Sequence, residues 1–449
     1  MSTVRESASQ FDWSPQPAAA EFVERLVSAF HGELEEARVL GQRLTAETGT
    51  RFVDWIDSMS LPDSIAVGSE LGAVGFVESG GEWVHPGGIF PRVRLGSSTF
   101  RIELRVDSVV DFLARHRLDA EPEGIPLARQ RRSLAFRSRA AELWVIERCG
   151  SRDAEASSTA SFAVDRLTAL ERFRLRTRVS SEESFAGLGS LAEDIATKLG
   201  RDVACELFFE AERDYWESRN RAARVQHDRQ NRLGMGWANH DHHTYRSSRR
   251  FFRPMIEFFH RLGFESRERF YAGREAGWGA QVLEDPATGI VIFADVDLSP
   301  EELATDFSRE ALPERDSLGT VGLWCALHGE SIFEAGMHHL ECQFDFDSLR
   351  DQLAAEAGIQ TMRPFTDFPH LRQAFTAGER WAVDPARVDH LLDAGLIDAS
   401  QADEFRRDGA IGSHLENLER NDGFKGFNQS GVSEIILATD PRAQAASKS

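Results

Sequence analysis

Two histidines and one glutamate, His242, His339 and Glu434, are the residues of this 449-residue chain best placed to hold a metal ion. His242 lies in the run Asn239-His240-Asp241-His242-His243-Thr244-Tyr245-Arg246, and His339 in Met337-His338-His339-Leu340-Glu341-Cys342-Gln343-Phe344. Both runs read as strands, whose successive side chains point to opposite faces. In the later run, His338, Leu340, Cys342 and Phe344 form a mostly apolar face expected to pack on a helix. Met337, His339, Glu341 and Gln343 present imidazole, carboxylate and amide, and are expected to face a cleft. The same alternation puts His240, His242, Thr244 and Arg246 on one face of the earlier run, with Asp241, His243 and Tyr245 on the other. Glu434 is a lone carboxylate in the apolar stretch 432–438, where an ionised group needs a partner or a metal. Two histidines and a carboxylate with open positions left over suit non-haem Fe(II), although Mn, Zn, Ni or Co fits the same donors. Glu341 or Gln343 is expected to orient a metal-bound water or a ligand histidine. The His240-x-His242 pair also has the spacing of an amidohydrolase-type zinc strand, but no barrel-scale βα repeat follows it.

The elements that must position these groups follow a strand, helix, strand, strand, strand order. After the His242 run, Phe251, Phe252, Met255, Ile256, Phe258, Phe259 and Leu262 recur at helical spacing until Gly263. Three strand-like runs follow at 265–271, 278–283 and 289–295. The His339 run is followed by a helix over 346–357. An insertion at about 364–412, with helix-like pieces at 369–375, 385–394 and 400–407, separates it from strands at 415–420 and 432–438. Lying between strands of one unit, that insertion is expected to cover the cleft. A paler copy of the pattern occupies 59–150: a strand at 100–106, a helix at 109–117, then strand candidates at Leu127, 134–136 and 142–147. Its opening strand has no histidine, so it is expected to be structural. The expected division is a helical segment 1–58, the degenerate module 59–150, a linker and long helices 151–232, a module 233–310 and a module 311–445. The stretch Gly423-Phe424-Lys425-Gly426-Phe427-Asn428-Gln429 reads as a turn that brings Phe427, Asn428 and Gln429 to a pocket.

Composition narrows the function. A formal net charge of −21, from 73 Asp+Glu against 52 Lys+Arg, argues against nucleic acid or an anionic membrane as partner. Four scattered cysteines, Cys149, Cys205, Cys325 and Cys342, fit buried thiols in a reducing compartment better than a disulfide framework. With no apolar leader and no run of about 20 apolar residues, the expected location is the cytoplasm.

The two histidine-bearing units resemble the βαβββ modules of the vicinal oxygen chelate superfamily, which implies an α+β fold of tandem modules forming a half-open barrel, with added helical segments. The residues His242 to Arg246, Met337 to Glu341 and Ser433-Glu434-Ile435 are similar to the catalytic half of type I extradiol dioxygenases. That family takes one histidine from the first strand of each of two modules and a glutamate from the last strand, which implies His242, His339 and Glu434 here. The run Asp241 to Arg246 also resembles the opening strand of 2-oxoadipate dioxygenase/decarboxylases, implying a carboxylate-binding role for Arg246.

The expected function is therefore that of a metal-dependent enzyme, an Fe(II) dioxygenase that takes O2 and a small chelating substrate, a 2-oxo acid or vicinal diol. A glyoxalase-type isomerase or lyase, with Glu341 moving the proton, is the first alternative. A non-enzymatic small-molecule binding protein of the same fold is the second. A homodimer through the N-terminal helices is an expectation that no residue of theirs singles out.

Overall fold

The computed structural model describes residues 13–62, 65–153, 158–274, 276–428 and 440–442. Two helices lead, α1 (Pro17–Glu33) and α2 (Glu35–Arg43). A first module follows as β1 (Ile56–Leu61), α3 (Ile65–Ala73), β2 (Val77–Ser79), β3 (Glu82–Val84) and β4 (Arg92–Leu95). The next comprises β5 (Phe100–Arg105), α4 (Val109–His116), β6 (Gln130–Arg137) and β7 (Ala141–Arg148). Four helices cross to the second half: α5 (Ala160–Arg174), α6 (Glu182–Leu199), α7 (Arg201–Ser218) and α8 (Arg221–Arg232). There β8 (His240–Arg246), α9 (Arg249–Leu262), β9 (Glu265–Tyr271), β10 (Trp278–Glu284) and β11 (Val291–Asp297) form one module. After α10 (Thr320–His328), the last module runs β12 (His339–Gln343), α11 (Phe346–Ala357), β13 (Thr366–Phe368), β14 (Leu371–Phe375), β15 (Glu379–Trp381), α12 (Pro385–Asp393), α13 (Ala399–Asp408) and β16 (Ala410–Arg420).

The strands make two curled sheets. The first has the order β2-β3-β4-β1-β5-β7-β6, and the second β13-β14-β16-β12-β8-β11-β10-β9 with β15 paired to β16. Within each module the opening strand lies parallel to the closing one: β1 to β4, β5 to β7, β8 to β11 and β12 to β16. The two opening strands of each half meet antiparallel, β1 with β5 and β8 with β12. The fold is thus α+β, two pairs of modules with helices added; three follow the order βαβββ, the last with β15 as an extra strand, and the second is βαββ. The stretch 59–150, expected as one module, contributes a whole pair, because 56–95 forms a module of its own.

Helix α9 shows why the sheet holds its shape. Its apolar stripe (Phe252, Met255, Ile256, Phe259 and Leu262) is buried in one core with Tyr245, Ile292, Ala294, Leu340 and Cys342 from the sheet. Gly263 ends it in the left-handed conformation, φ 114°. Helices α5 to α8 extend the same core, and all four cysteines are buried and unpaired.

Three local expectations are corrected. Residues 369–375 are not helical: the chain turns at 369–370 and 371–375 pair antiparallel with β16, because the sheet edge supplies hydrogen bonds that five residues of helix lack. Leu127 sits in a turn at φ 62° instead of a strand. The insertion's helices α12 and α13 do not lie over the cleft but pack Val388, Leu391 and Phe405 against Leu323 and Leu327 of α10. Among the described residues no helix is long and apolar enough to cross a membrane.

Candidate metal centre

The cleft of the second sheet is built from the strands that meet at its middle. On β12, His339 and Glu341 turn inward, while Leu340 and Cys342 enter the core, as alternation requires. On β8, His242 and Thr244 turn inward and Tyr245 enters the core. His240 does not share their face. His242 opposes Glu341 and His240 opposes Cys342, so Asp241 is an extra residue, a β-bulge that resets the alternation. The His240 ring lies 5.2 Å from that of His243, away from the cleft. That displacement removes the His240-x-His242 zinc arrangement.

The bulge also gives Asp241 its place. Its Oδ1 lies 2.8 Å from His242 Nδ1, Arg420 donates to both its oxygens at 2.8 and 3.0 Å, and Gln343 Nε2 donates to it at 3.0 Å. Burial pushes this carboxyl up, but Arg420 and His242 outweigh it and hold Asp241 well below the ordinary carboxylate range. The carboxylate fixes His242 with its Nε2 turned inward, as outer partners of metal-bound histidines do.

Glu341 is the centre of the cluster. Its Oε1 lies 2.9 Å from His242 Nε2 and 2.5 Å from His339 Nε2, and accepts from Thr244 Oγ1 at 2.7 Å. Beside it stands Glu416 of β16, 3.5 Å from His339 Nε2 and accepting from Gln373 Nε2 at 2.8 Å. Ligand atoms of His242, Glu341 and Glu416 all lie within 4.8 Å of one another. Burial raises Glu416 to about 8, and burial with the adjacent Glu416 carboxyl raises Glu341 well above its usual range. Burial holds His242 and His339 below theirs. Left alone, the donors are neutral acids and neutral imidazoles crowded on one point, and Glu341 Oε2 is buried without a hydrogen-bond partner. A divalent cation fits that set, since it supplies the charge the carboxylates lack.

Glu416 is the residue that sequence reasoning passed over. Its signal is a repeated tripeptide: His339-Leu340-Glu341 and His414-Leu415-Glu416 sit in matched register on neighbouring parallel strands. Glu434 lies outside the described residues. Arg246 shares the inward face of β8 but is buried past the lining residues, its Nε 3.8 Å from Asp295 Oδ2, and Asp295 lines the cleft. His338 turns from the cleft toward Trp324 and His414. Phe427 packs 5.0 Å from the His242 ring and Asn428 lines the cleft beside it; Gln429 lies outside the described residues. The cleft is about 70 Å³, walled by Phe270, Trp278, Phe293, Phe365, Phe375 and Phe427.

The first sheet repeats this plan but keeps only the counterpart of Glu341. Ser58 opposes Glu103, and Glu103 in turn opposes Trp144, as His242, Glu341 and Glu416 are related. The position of His339 is Arg101, which stacks 4.7 Å over Trp144. Glu103 accepts from Ser58 and Arg94. Serine, arginine and tryptophan thus stand at the positions of His242, His339 and Glu416.

No protein-family model matches the sequence, and no curated protein matches it. Solved structures do align. A protein assigned to the glyoxalase superfamily from Ralstonia eutropha is 13% identical over 59% of this chain and 97% of its own, with a TM-score of 0.34. A variant of 4-hydroxymandelate synthase from Streptomyces coelicolor is 13% identical over 88% of this chain and 99% of its own, TM-score 0.26. Methylmalonyl-CoA epimerase from Mycobacterium tuberculosis is 14% identical over 41% and 88%, TM-score 0.24. Likeness at this level concerns the fold alone.

Proposed function

We propose that this chain, whose fold is that of the vicinal oxygen chelate superfamily, is a metal-dependent enzyme acting on a small chelating substrate, with Fe(II) and O2 in a dioxygenase reaction as the leading case. His242, His339 and Glu416 would hold the ion, with Glu341 beside them. The observation that carries this reading is the convergence of two imidazoles and two carboxyls on one point of an aromatic-walled cleft. The ion, when bound, supplies open coordination positions for a chelating substrate and for dioxygen.

The remaining chemistry belongs to the chain. Asp241 and Arg420 set the tautomer and direction of His242, and Gln373 sets Glu416. The aromatic walls exclude water and accept an apolar or planar body, so either a vicinal diol or a 2-oxo acid with such a body fits. Arg246 faces Asp295, so a role in gripping a substrate carboxylate requires that acid to share it.

A second reading has its own support. Glu341 and Glu416 are adjacent acids whose proton affinities are raised, the arrangement a proton-moving isomerase or lyase uses. Metal analysis with oxygen uptake separates the two. The dioxygenase reading expects iron retained by the wild type, at least about 100-fold weaker binding in Glu416→Gln and His339→Ala, and oxygen consumed with a chelating substrate. Zinc, nickel or cobalt at these residues with no oxygen uptake favours the isomerase. Metal binding unaffected by either substitution overturns both.

A further inference from the structure

A second cavity, about 420 Å³, lies between the two half-barrels on the other side of the Asp241 bulge. Its first-half wall carries Asp57, Arg92, Arg105 and Arg152, and its second-half wall Asp241, Arg267 and Arg420. The buried carboxylates in it are already matched. Asp57 is paired with Arg148, Asp241 with Arg420, Asp54 with Arg51, and Glu284 with Arg267 and Lys425. Glu24 and Asp422 also line it, on an exposed face of α1 and in the turn after β16.

The cations are not all matched. Arg152 has no ion-pair partner among the described residues, and its Nε is buried without a hydrogen-bond partner. Among the described residues Arg105 pairs only with Glu206, at 3.3 Å, and shares it with Arg213 at 3.8 Å. Arg148 pairs directly with Asp57, and the Arg152 and Arg105 guanidinium groups act on the same carboxylate from further off. Burial and the neighbouring Arg148, Arg105 and Arg92 bring Arg152 down to about 10. An uncompensated guanidinium beside a cavity is costly to hold unless something anionic enters. Its planar fork suits an oxyanion that accepts two parallel hydrogen bonds.

We propose that the cavity between the half-barrels binds a small oxyanion, a carboxylate- or phosphate-bearing molecule, gripped by Arg152 with Arg105. The site is independent of the metal cleft, yet the two share a wall. Asp241 lines the cavity and holds His242 on the cleft side.

The test is thermal unfolding and titration calorimetry of the full chain with inorganic phosphate and with succinate, each against potassium chloride at matched ionic strength. One or both are expected to raise the melting temperature of the wild type saturably, and which one does so identifies the headgroup. Arg152→Gln is expected to melt no lower than the wild type in anion-free buffer, because it removes an unpaired charge, and to bind the anion at least tenfold more weakly. Arg105→Lys, which keeps the charge and loses the fork, is expected to weaken binding severalfold, and it serves if Arg152→Gln does not fold. His339→Ala is expected to keep the wild-type response. No effect beyond chloride, undiminished binding in both arginine variants, or loss of the response in His339→Ala overturns the proposal.

Discussion

At the residue scale, the cluster around Glu341 is organised by protons. With burial raising Glu416 to about 8, the metal-free folded chain holds a proton there that the unfolded chain has lost. A raised folded value in an acid gives stability that is complete below the ordinary carboxylate range and is lost as pH rises through about 8. The metal-free protein is therefore expected to lose melting temperature between the ordinary carboxylate range and about pH 8, whereas the loaded protein is not. Metal affinity has the opposite slope, rising toward pH 8 as protons stop competing, with protons released on binding. Calorimetry in buffers of different ionisation enthalpy counts them. Asp241→Asn is the second residue-scale prediction. It keeps the shape but removes the charge that directs His242, and is expected to weaken metal binding by about 10- to 100-fold. Metal retention after dialysis reads it.

At the element scale, the chain advertises some elements and hides others. Helix α9 and strands β9 and β10 were legible because Gly263 stops a continuous apolar stripe and alternation resumes at once. The inward face of β12 was legible for the same reason. The β8 bulge was not, since one extra residue reverses every assignment on its far side and nothing in the His-Asp-His order marks it. Which glutamate of β16 enters the cleft was likewise hidden. Glu416 and Glu419 both sit in the strand, and only pairing with β12 turns Glu416 inward while Glu419 accepts from the Phe346 amide at the start of α11. The connection from α8 to β8 makes an element-scale prediction. Gly234 has φ 72°, and a Cβ there would lie 2.4 Å from the Phe112 backbone of α4. Gly234→Ala is expected to cost about 1–3 kcal/mol or more from backbone strain alone, read as a lower melting temperature with metal affinity little changed.

At the scale of the whole molecule, the two halves are variations on one plan. The bulge recurs in the first half at Asp57, the extra residue between Ile56 and Ser58, and its carboxylate pairs with Arg148 as Asp241 pairs with Arg420. Arg148 and Arg420 are equivalent in register, each two residues beyond the last position that its strand pairs with the module's opening strand. Agreement in a bulge and a buried ion pair, with disagreement at every ligand position, separates what holds a half-barrel open from what fills it. The scaffold is retained in both halves, with Glu103 in the place of Glu341, and the full donor set is present in one.

That separation makes the silent half rebuildable. Ser58→His, Arg101→His and Trp144→Glu together would restore an imidazole, imidazole and carboxylate around Glu103 on strands already in register. The altered chain is expected to take up one ion more than the parent, and elemental analysis against protein concentration would count them. An ancestral tandem with twin reactive chambers, one of them later plugged by a stacked indole, would leave this kind of imprint.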